Sequence, residues 1–158
     1  MKLCCLDQST KVTGYSIWQN KKLLKHGVID LSKNNNTEER VHAMYDSIRG
    51  LISKEKPDFI VIEDVQFQAN QRVFKTLSQL QGLVISIAYD EKCGYLIVEP
   101  SVWKSYVGVK SRKRQEQKEE VYKIVDKKYH IGNTTDDESD SIAIGMWAVN
   151  NLVEQKEN

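Results

Sequence analysis

Four carboxylates sit where a divalent metal would be held. Asp7 ends the apolar run Leu3-Cys4-Cys5-Leu6, Glu63 ends Phe59-Ile60-Val61-Ile62, and Asp137 and Asp140 open an apolar stretch near the C-terminus. A carboxylate at the end of a buried strand is costly unless its charge is neutralised. Hard divalent cations prefer carboxylate oxygen and supply that neutralisation. Two such ions roughly 3.5–4 Å apart can activate a water and stabilise the leaving oxygen of a phosphodiester. Each piece alone has a plainer reading. Asp7 can cap a turn, and Glu63-Asp64 can be a strand-end loop. Thr134-Thr135-Asp136-Asp137-Glu138 resembles a capping box with acids in the first helical turn. Asp136 also rivals Asp137, because it lies four before Asp140 and shares its helical face. A strand-end Asp, a strand-end Glu and a helical Asp-x-x-Asp together are far more specific than any one of them.

The elements that must carry these residues follow from pattern. Lys2 to Asp7 reads as a buried strand. Val12 to Gln19, with Tyr15, Ile17 and Trp18, reads as a second, and Leu23 to Leu31 as a third after the turn Asn20-Lys21-Lys22. Short connections make these an antiparallel meander. Thr37 is placed to cap a helix to about Lys54, with Val41, Met44, Tyr45, Ile48, Leu51 and Ile52 on one side and Pro57 ending the segment. Phe59 to Glu63 is apolar enough for the middle of a sheet. A helix is predicted over Gln71 to Glu91, with Val73, Leu77, Leu80, Val84, Ile87 and Ala88 as its stripe. Tyr95 to Val98 reads as a fifth strand. Pro100 to Val107 reads as a short helix, Gly108 to Arg114 as a basic loop, and Gln115 to Tyr129 as an amphipathic helix. Asp136 to Leu152 is the last helix. The order βββαβαβ followed by helices predicts a mixed α/β sheet of five strands, a three-strand meander feeding parallel strands, with helices on both faces. In such a sheet the first strand and the Phe59 strand are neighbours, and Asp7 and Glu63 project near the same edge. Asp137 and Asp140 share a helical face that must pack onto that edge.

Size and charge bound the rest. A chain of 158 residues suits one domain, 40% apolar residues suffice for a packed core, and 28% charged residues are typical of a soluble protein. No apolar run reaches membrane-span length, and the N-terminus lacks a signal-peptide pattern. Cys4, Cys5 and Cys93 form no metal-ligand pattern and read as reduced, which points to the cytoplasm. The net charge of +1 hides an asymmetry. Residues 101–130 hold nine Lys/Arg against four acids, and residues 131–158 hold six acids against one Lys. A basic segment beside an acidic pocket suits a polyanion held in front of metal ions, although a charge run is more often a solvated helix face.

With these residues in view, the chain resembles the RuvC family of Holliday junction resolvases, within the RNase H-like superfamily, over nearly its whole length. Leu6-Asp7-Gln8-Ser9-Thr10 with Gly14-Tyr15 resembles the family's first-strand motif, and Val61-Ile62-Glu63-Asp64-Val65 its second. Asp137-Glu138-Ser139-Asp140-Ser141-Ile142-Ala143 resembles the closing Asp-x-x-Asp helix. Val98-Glu99-Pro100-Ser101-Val102-Trp103-Lys104 is similar to the segment in which a Pro precedes a Val-Lys pair, and Lys118 falls where the family carries a second functional lysine. The first strand also suits the actin and sugar-kinase nucleotide-binding fold, but that needs a second similar domain for which 158 residues leave no room.

The resemblance implies a single nuclease domain over residues 1–158, acting as a homodimer on branched DNA and nicking opposed strands of a four-way junction, with forks as further substrates. It implies that Asp7, Glu63, Asp137 and Asp140 hold two Mg²⁺ ions, with Mn²⁺ able to substitute. Lys104 and Lys118 would be catalytic through contact with the scissile or neighbouring phosphates, where Lys works as a point charge. Lys110, Arg112, Lys113 and Arg114 would join them on the DNA. The chain departs from the pattern in two places. The family's wedge Phe, three after the strand-end Glu, is here Gln66, leaving Phe67 or Phe74 for the role of unstacking bases. The Gly108 to Arg114 loop is more basic and differently spaced. The Lys- and Asn-rich makeup fits a divergent, phage-encoded member. Two other readings are an RNase H-like nuclease on RNA–DNA hybrids and a non-catalytic junction-binding protein.

Overall fold

Alternation of side chains along the first strand decides how the molecule is layered. The computed structural model describes residues 1–67 and 69–152, so Glu154, Lys156 and Glu157 of the acidic C-terminal segment lie outside the described residues. The elements are β1 (Lys2–Asp7), β2 (Val12–Gln19), β3 (Lys22–Asp30), α1 (Thr37–Glu55), β4 (Phe59–Glu63), α2 (Gln71–Asp90), β5 (Gly94–Val98), α3 (Pro100–Val107), α4 (Arg114–Tyr129) and α5 (Asp136–Leu152). The sheet order is β3-β2-β1-β4-β5. β1, β2 and β3 pair antiparallel, and β4 joins β1 and β5 in parallel. This is the expected mixed sheet, with the meander on one side and the crossover strands on the other.

Successive residues of a strand face opposite ways. Leu3 and Cys5 therefore enter one core with Val61, Trp103, Val121, Val125 and Ile142, beneath α3, α4 and α5. Cys4 and Leu6 enter the other with Met44, Ile48, Ile60, Ile62, Leu80 and Val84, beneath α1 and α2. Helices thus cover both faces, and the adjacent cysteines point apart and stay unpaired.

Element ends depart from expectation by about one residue, as the ambiguity of helix and strand termini allows. Two departures have physical causes. The cap of α1 is Asn36, whose side chain accepts from the N–H groups of Glu38 and Glu39, and Thr37 is the first helical residue instead. Asn precedes Thr as an N-cap because its carbonyl reaches two amides without a β-branch. Val73, expected in the buried stripe of α2, is 44% exposed, because the first turns of α2 face a cleft rather than the core. Leu80, Val84, Ile87 and Ala88 carry the packing of that helix.

Candidate metal centre and nucleic-acid cleft

The parallel register of β1 on β4 pairs Leu6 with Ile62, which leaves Asp7 and Glu63 side by side at the same end of the sheet. On the other side of β1, Asp7 pairs with Gly14 of β2. A Cβ on Gly14 would lie 1.8 Å from the carbonyl oxygen of Asp137 and 2.3 Å from its carbonyl carbon. The first turn of α5 therefore rests directly on bare strand backbone, beside Asp7. A glycine inside a strand often marks such a close backbone approach.

Several contacts hold α5 in that seat. The Glu138 N–H donates to Thr135 Oγ1 at 3.2 Å, so Thr135 fills the capping role that competed for Asp137. The Glu138 carboxylate does not return to the cap. It meets the His26 imidazole at 2.5 Å and accepts from the Thr134 hydroxyl, tying the helix start to β3. Ser16 Oγ donates to the Ser141 carbonyl at 2.7 Å and accepts from Trp18 Nε1 at 2.9 Å. Gly145 admits the Trp18 ring where any Cβ would collide with it.

Asp7, Glu63, Asp137 and Asp140 line one cleft of about 580 Å³, together with Asp64 and Asp136. Lys104, Arg112, Arg114 and Lys118 line it too. Burial pushes the carboxyl pKa of all four up. Asp7 rises well above the ordinary value, through desolvation and then the charges of Glu63, Asp140 and Asp137. Asp140 rises to about 7 by desolvation, then by Glu63. Glu63 and Asp137 rise by desolvation, against the lowering pull of Lys104 on the first and Lys118 on the second. Lys104, through its charge, lowers the carboxyl pKa of Asp7, Glu63 and Asp140 against their desolvation. Its Nζ lies 5.3 Å from the Trp103 ring centroid and 3.3 Å from Gln117 Oε1. Lys118 Nζ is 2.8 Å from Asp136 Oδ2. Asp136 is the more exposed of the two adjacent acids and already has a cation.

Among the described residues, no three His, Cys, Asp or Glu side chains converge closely enough to enclose an ion as they stand. The donor set nonetheless fits one. All four carboxylates are desolvated, the charges of the others push Asp7 and Asp140 up further, and a hard divalent cation relieves both the desolvation and the repulsion. The Gln8 side chain, 8% exposed on the same cleft, has neither its amide nitrogen nor its oxygen hydrogen-bonded. A buried amide with no partner calls for a polar ligand.

Other expected residues fall outside the cleft wall. Lys110 and Lys113 are exposed on the loop before α4, with Glu120 accepting from the Lys110 backbone N–H and Glu116 pairing with the Lys113 ammonium. Phe67 and Phe74 are not alternatives in space. Their centroids are 5.7 Å apart, and Phe67 is 78% exposed, so they form one aromatic patch beside the cleft-lining residues Gln66 and Val73. Sequence reasoning names three further residues only as motif positions and misses what each does. Trp103 donates to Glu63, Gln8 presents its free amide, and Gly14 clears the way for Asp137. A glycine inside the β2 pattern is the one available signal among them.

Comparisons with known proteins match the chain to one family and to its fold. A family model described as crossover junction endodeoxyribonuclease RuvC matches residues 3–147. Similar proteins of that description include one from Fusobacterium nucleatum, 27% identical over 96% of this chain and 82% of its own. Another, from Finegoldia magna, is 25% identical over 92% of this chain and 91% of its own. In three dimensions the chain superposes on T. thermophilus RuvC in complex with Holliday junction substrate, with TM-score 0.78, 16% identity and coverage of 97% and 96%. It also superposes on the Fowlpox virus resolvase bound to substrate Holliday junction DNA, with TM-score 0.67, 16% identity and coverage of 96% and 99%.

Proposed function

Because this chain belongs to the family of crossover junction endodeoxyribonucleases called RuvC, we propose that it binds four-way DNA junctions as a homodimer and nicks two opposed strands by metal-dependent phosphodiester hydrolysis. The observation that carries the reading is the meeting of Asp7, Glu63, Asp137 and Asp140 in one cleft walled by Lys104, Arg112, Arg114 and Lys118. A two-fold junction is matched by a two-fold protein. The reading takes residues 1–158 as one nuclease domain working in the cytoplasm. No described helix is long and apolar enough to cross a membrane.

In this proposal the four carboxylates hold two Mg²⁺ ions, with Asp136 left to Lys118. The ions, when bound, supply an activated water and charge stabilisation for the leaving oxygen. The remaining work falls to the chain. Lys104 and Lys118 place positive charge on the non-bridging oxygens of the scissile phosphate and its neighbour. Arg112 and Arg114 grip the flanking backbone, where guanidinium matches phosphate in two-point geometry. Trp103 keeps Glu63 in one orientation, and Gln8 is free to donate to a phosphate oxygen or to accept from a water. The exposed ring of Phe67, backed by Phe74, stacks on bases opened at the crossover.

The test is nick mapping on junction, fork, linear and RNA–DNA hybrid duplexes with Mg²⁺. Wild type is expected to nick the junction symmetrically, and Asp7→Asn to bind it without cutting. An Asp7→Asn protein that cuts at the wild-type rate, or a wild type that prefers the hybrid, overturns the proposal.

A further inference from the structure

A second pocket, of about 320 Å³, lies beside the acidic cleft and shares Ser9, Val73 and Leu77 with it. Its walls are the β1–β2 loop, the first turns of α1 and the first turns of α2. Three cations line it, Lys11, Arg40 and Arg72, with hydroxyls from Thr10, Thr37 and Thr76, and no carboxylate is among its described lining residues. Arg40 is the unusual member. It is 7% exposed, yet its guanidinium meets only neutral oxygens, the Asn34 carbonyl at 2.6 Å and Thr37 Oγ1 at 3.2 Å. Its Nε has no acceptor, and among the described residues it has no ion-pair partner. A guanidinium keeps its charge at any ordinary pH, so a buried one calls for an anion. The N-terminal turn of α2, a helix of 20 residues with no acid in its first turn, adds its partial positive charge at the same place, whereas Glu38 and Glu39 offset that of α1.

We propose that this pocket is a second phosphate subsite, which takes a backbone phosphodiester of the DNA strand running out of the acidic cleft. The proposal rests on the nuclease reading. The subsite binds without reacting and fixes the strand at a second point, so the register of the scissile phosphate over the carboxylates is set by two anchors. Lys11 and Arg72 are exposed and close on the phosphate from the rim, while Arg40 supplies charge from the pocket floor.

The experiment measures junction affinity of the full chain against salt in Ca²⁺, with nicking in Mg²⁺ run in parallel. Removing Arg40 risks the fold, so the working variant is Lys11→Gln/Arg72→Gln, with Lys54→Gln/Lys92→Gln, in the last turn of α1 and the turn just after α2, as a charge-matched control. The rim variant is expected to lose roughly tenfold in affinity at physiological salt, with the slope of log affinity on log salt falling by about one for each phosphate that is no longer neutralised. The control is expected to keep the wild-type slope. Equal slopes for rim variant and wild type overturn the subsite while leaving the nuclease reading intact. A wild type that binds no DNA sinks the nuclease reading instead. The pocket is then decided by inorganic phosphate on metal-free protein. Movement of the Arg40 Nε–H resonance beyond that caused by chloride at equal ionic strength supports a phosphate site, and an unmoved resonance overturns it.

Discussion

Trp103 Nε1 donates a hydrogen bond to Glu63 Oε2 at 2.6 Å, so a fully buried ring under α3 fixes one oxygen of a cleft carboxylate and leaves the other for a ligand. The bond lowers the Glu63 pKa against the desolvation that raises it. A partner behind a metal-binding carboxylate fixes its direction, and losing such a partner costs about 10–100-fold in metal affinity or activity. Trp103→Phe keeps most of the apolar volume and removes the donor. The expected result is about tenfold slower nicking at low Mg²⁺, largely restored at high Mg²⁺. The check is a Mg²⁺ titration of the rate. A loss that no concentration of Mg²⁺ relieves assigns Trp103 to packing alone.

Gly14 decides whether α5 reaches the site at all. A methyl group there would overlap the Asp137 carbonyl, and that obstacle is backbone that cannot rotate away. Gly14→Ala must push the first turn of α5 off β2, carrying Asp137 and Asp140 with it. Overpacking of this kind costs about 1–3 kcal/mol, but the functional loss is expected to be larger. A shift near 1 Å in the catalytic geometry reduces rates by about 100-fold. The measurement pairs the melting temperature with the nicking rate. A rate loss no greater than the lost folded fraction sinks the argument.

The raised carboxyls make an unusual demand on pH. A carboxyl whose pKa is higher folded than unfolded holds its proton more tightly in the native state, so the stability it contributes declines as pH rises between the two values. For Asp140 the native value is about 7 against an ordinary 3.8, and Asp7, Glu63 and Asp137 shift in the same direction. Metal-free protein is therefore expected to melt lower at pH 8 than at pH 5. Mg²⁺ should raise the melting temperature more at pH 8, where the carboxylates are ionised and bind it. Asp140→Asn should flatten both trends. A metal-free melting temperature that climbs from pH 5 to 8, with no larger Mg²⁺ effect at pH 8, contradicts the acidic-cluster account.

How much of this is legible in the sequence depends on the range of the interaction. The strands carrying Asp7 and Glu63 and the helix carrying Asp137 and Asp140 follow from local apolar period, and the parallel neighbour relation of β1 and β4 follows from topology rules. The cap at Thr135 is also local. What stays hidden is made by contacts between residues far apart in the chain. The Trp103–Glu63 bond spans 40 positions, and no pattern in α3 marks its tryptophan as a donor to β4. Arg40 reads as an ordinary polar position near the start of α1, because burial of a single guanidinium depends on α2 and the β1–β2 loop closing around it. Phe67 and Phe74 read as rivals because sequence distance does not reveal that the turn into α2 stacks them.

Asp136 and Asp137 compete for one role in the sequence, and the structure gives them different neighbours. Asp136 lies 2.8 Å from the Lys118 ammonium on an exposed edge. Asp137 sits deeper, its carboxyl pKa raised first by burial, with its backbone on Gly14. If Asp137 is the metal-holding acid, Asp137→Asn should abolish nicking while preserving junction binding. Asp136→Asn should cost far less, because an exposed pair contributes only about 0–1 kcal/mol. It would also release Lys118 from a carboxylate, leaving that ammonium free for phosphate and strengthening junction binding at low salt. Single-turnover nicking rates and binding at two salt concentrations, measured for both variants, decide the matter. An inactive Asp136→Asn beside an active Asp137→Asn would exchange the two assignments and make the Lys118 contact a substitute for the metal.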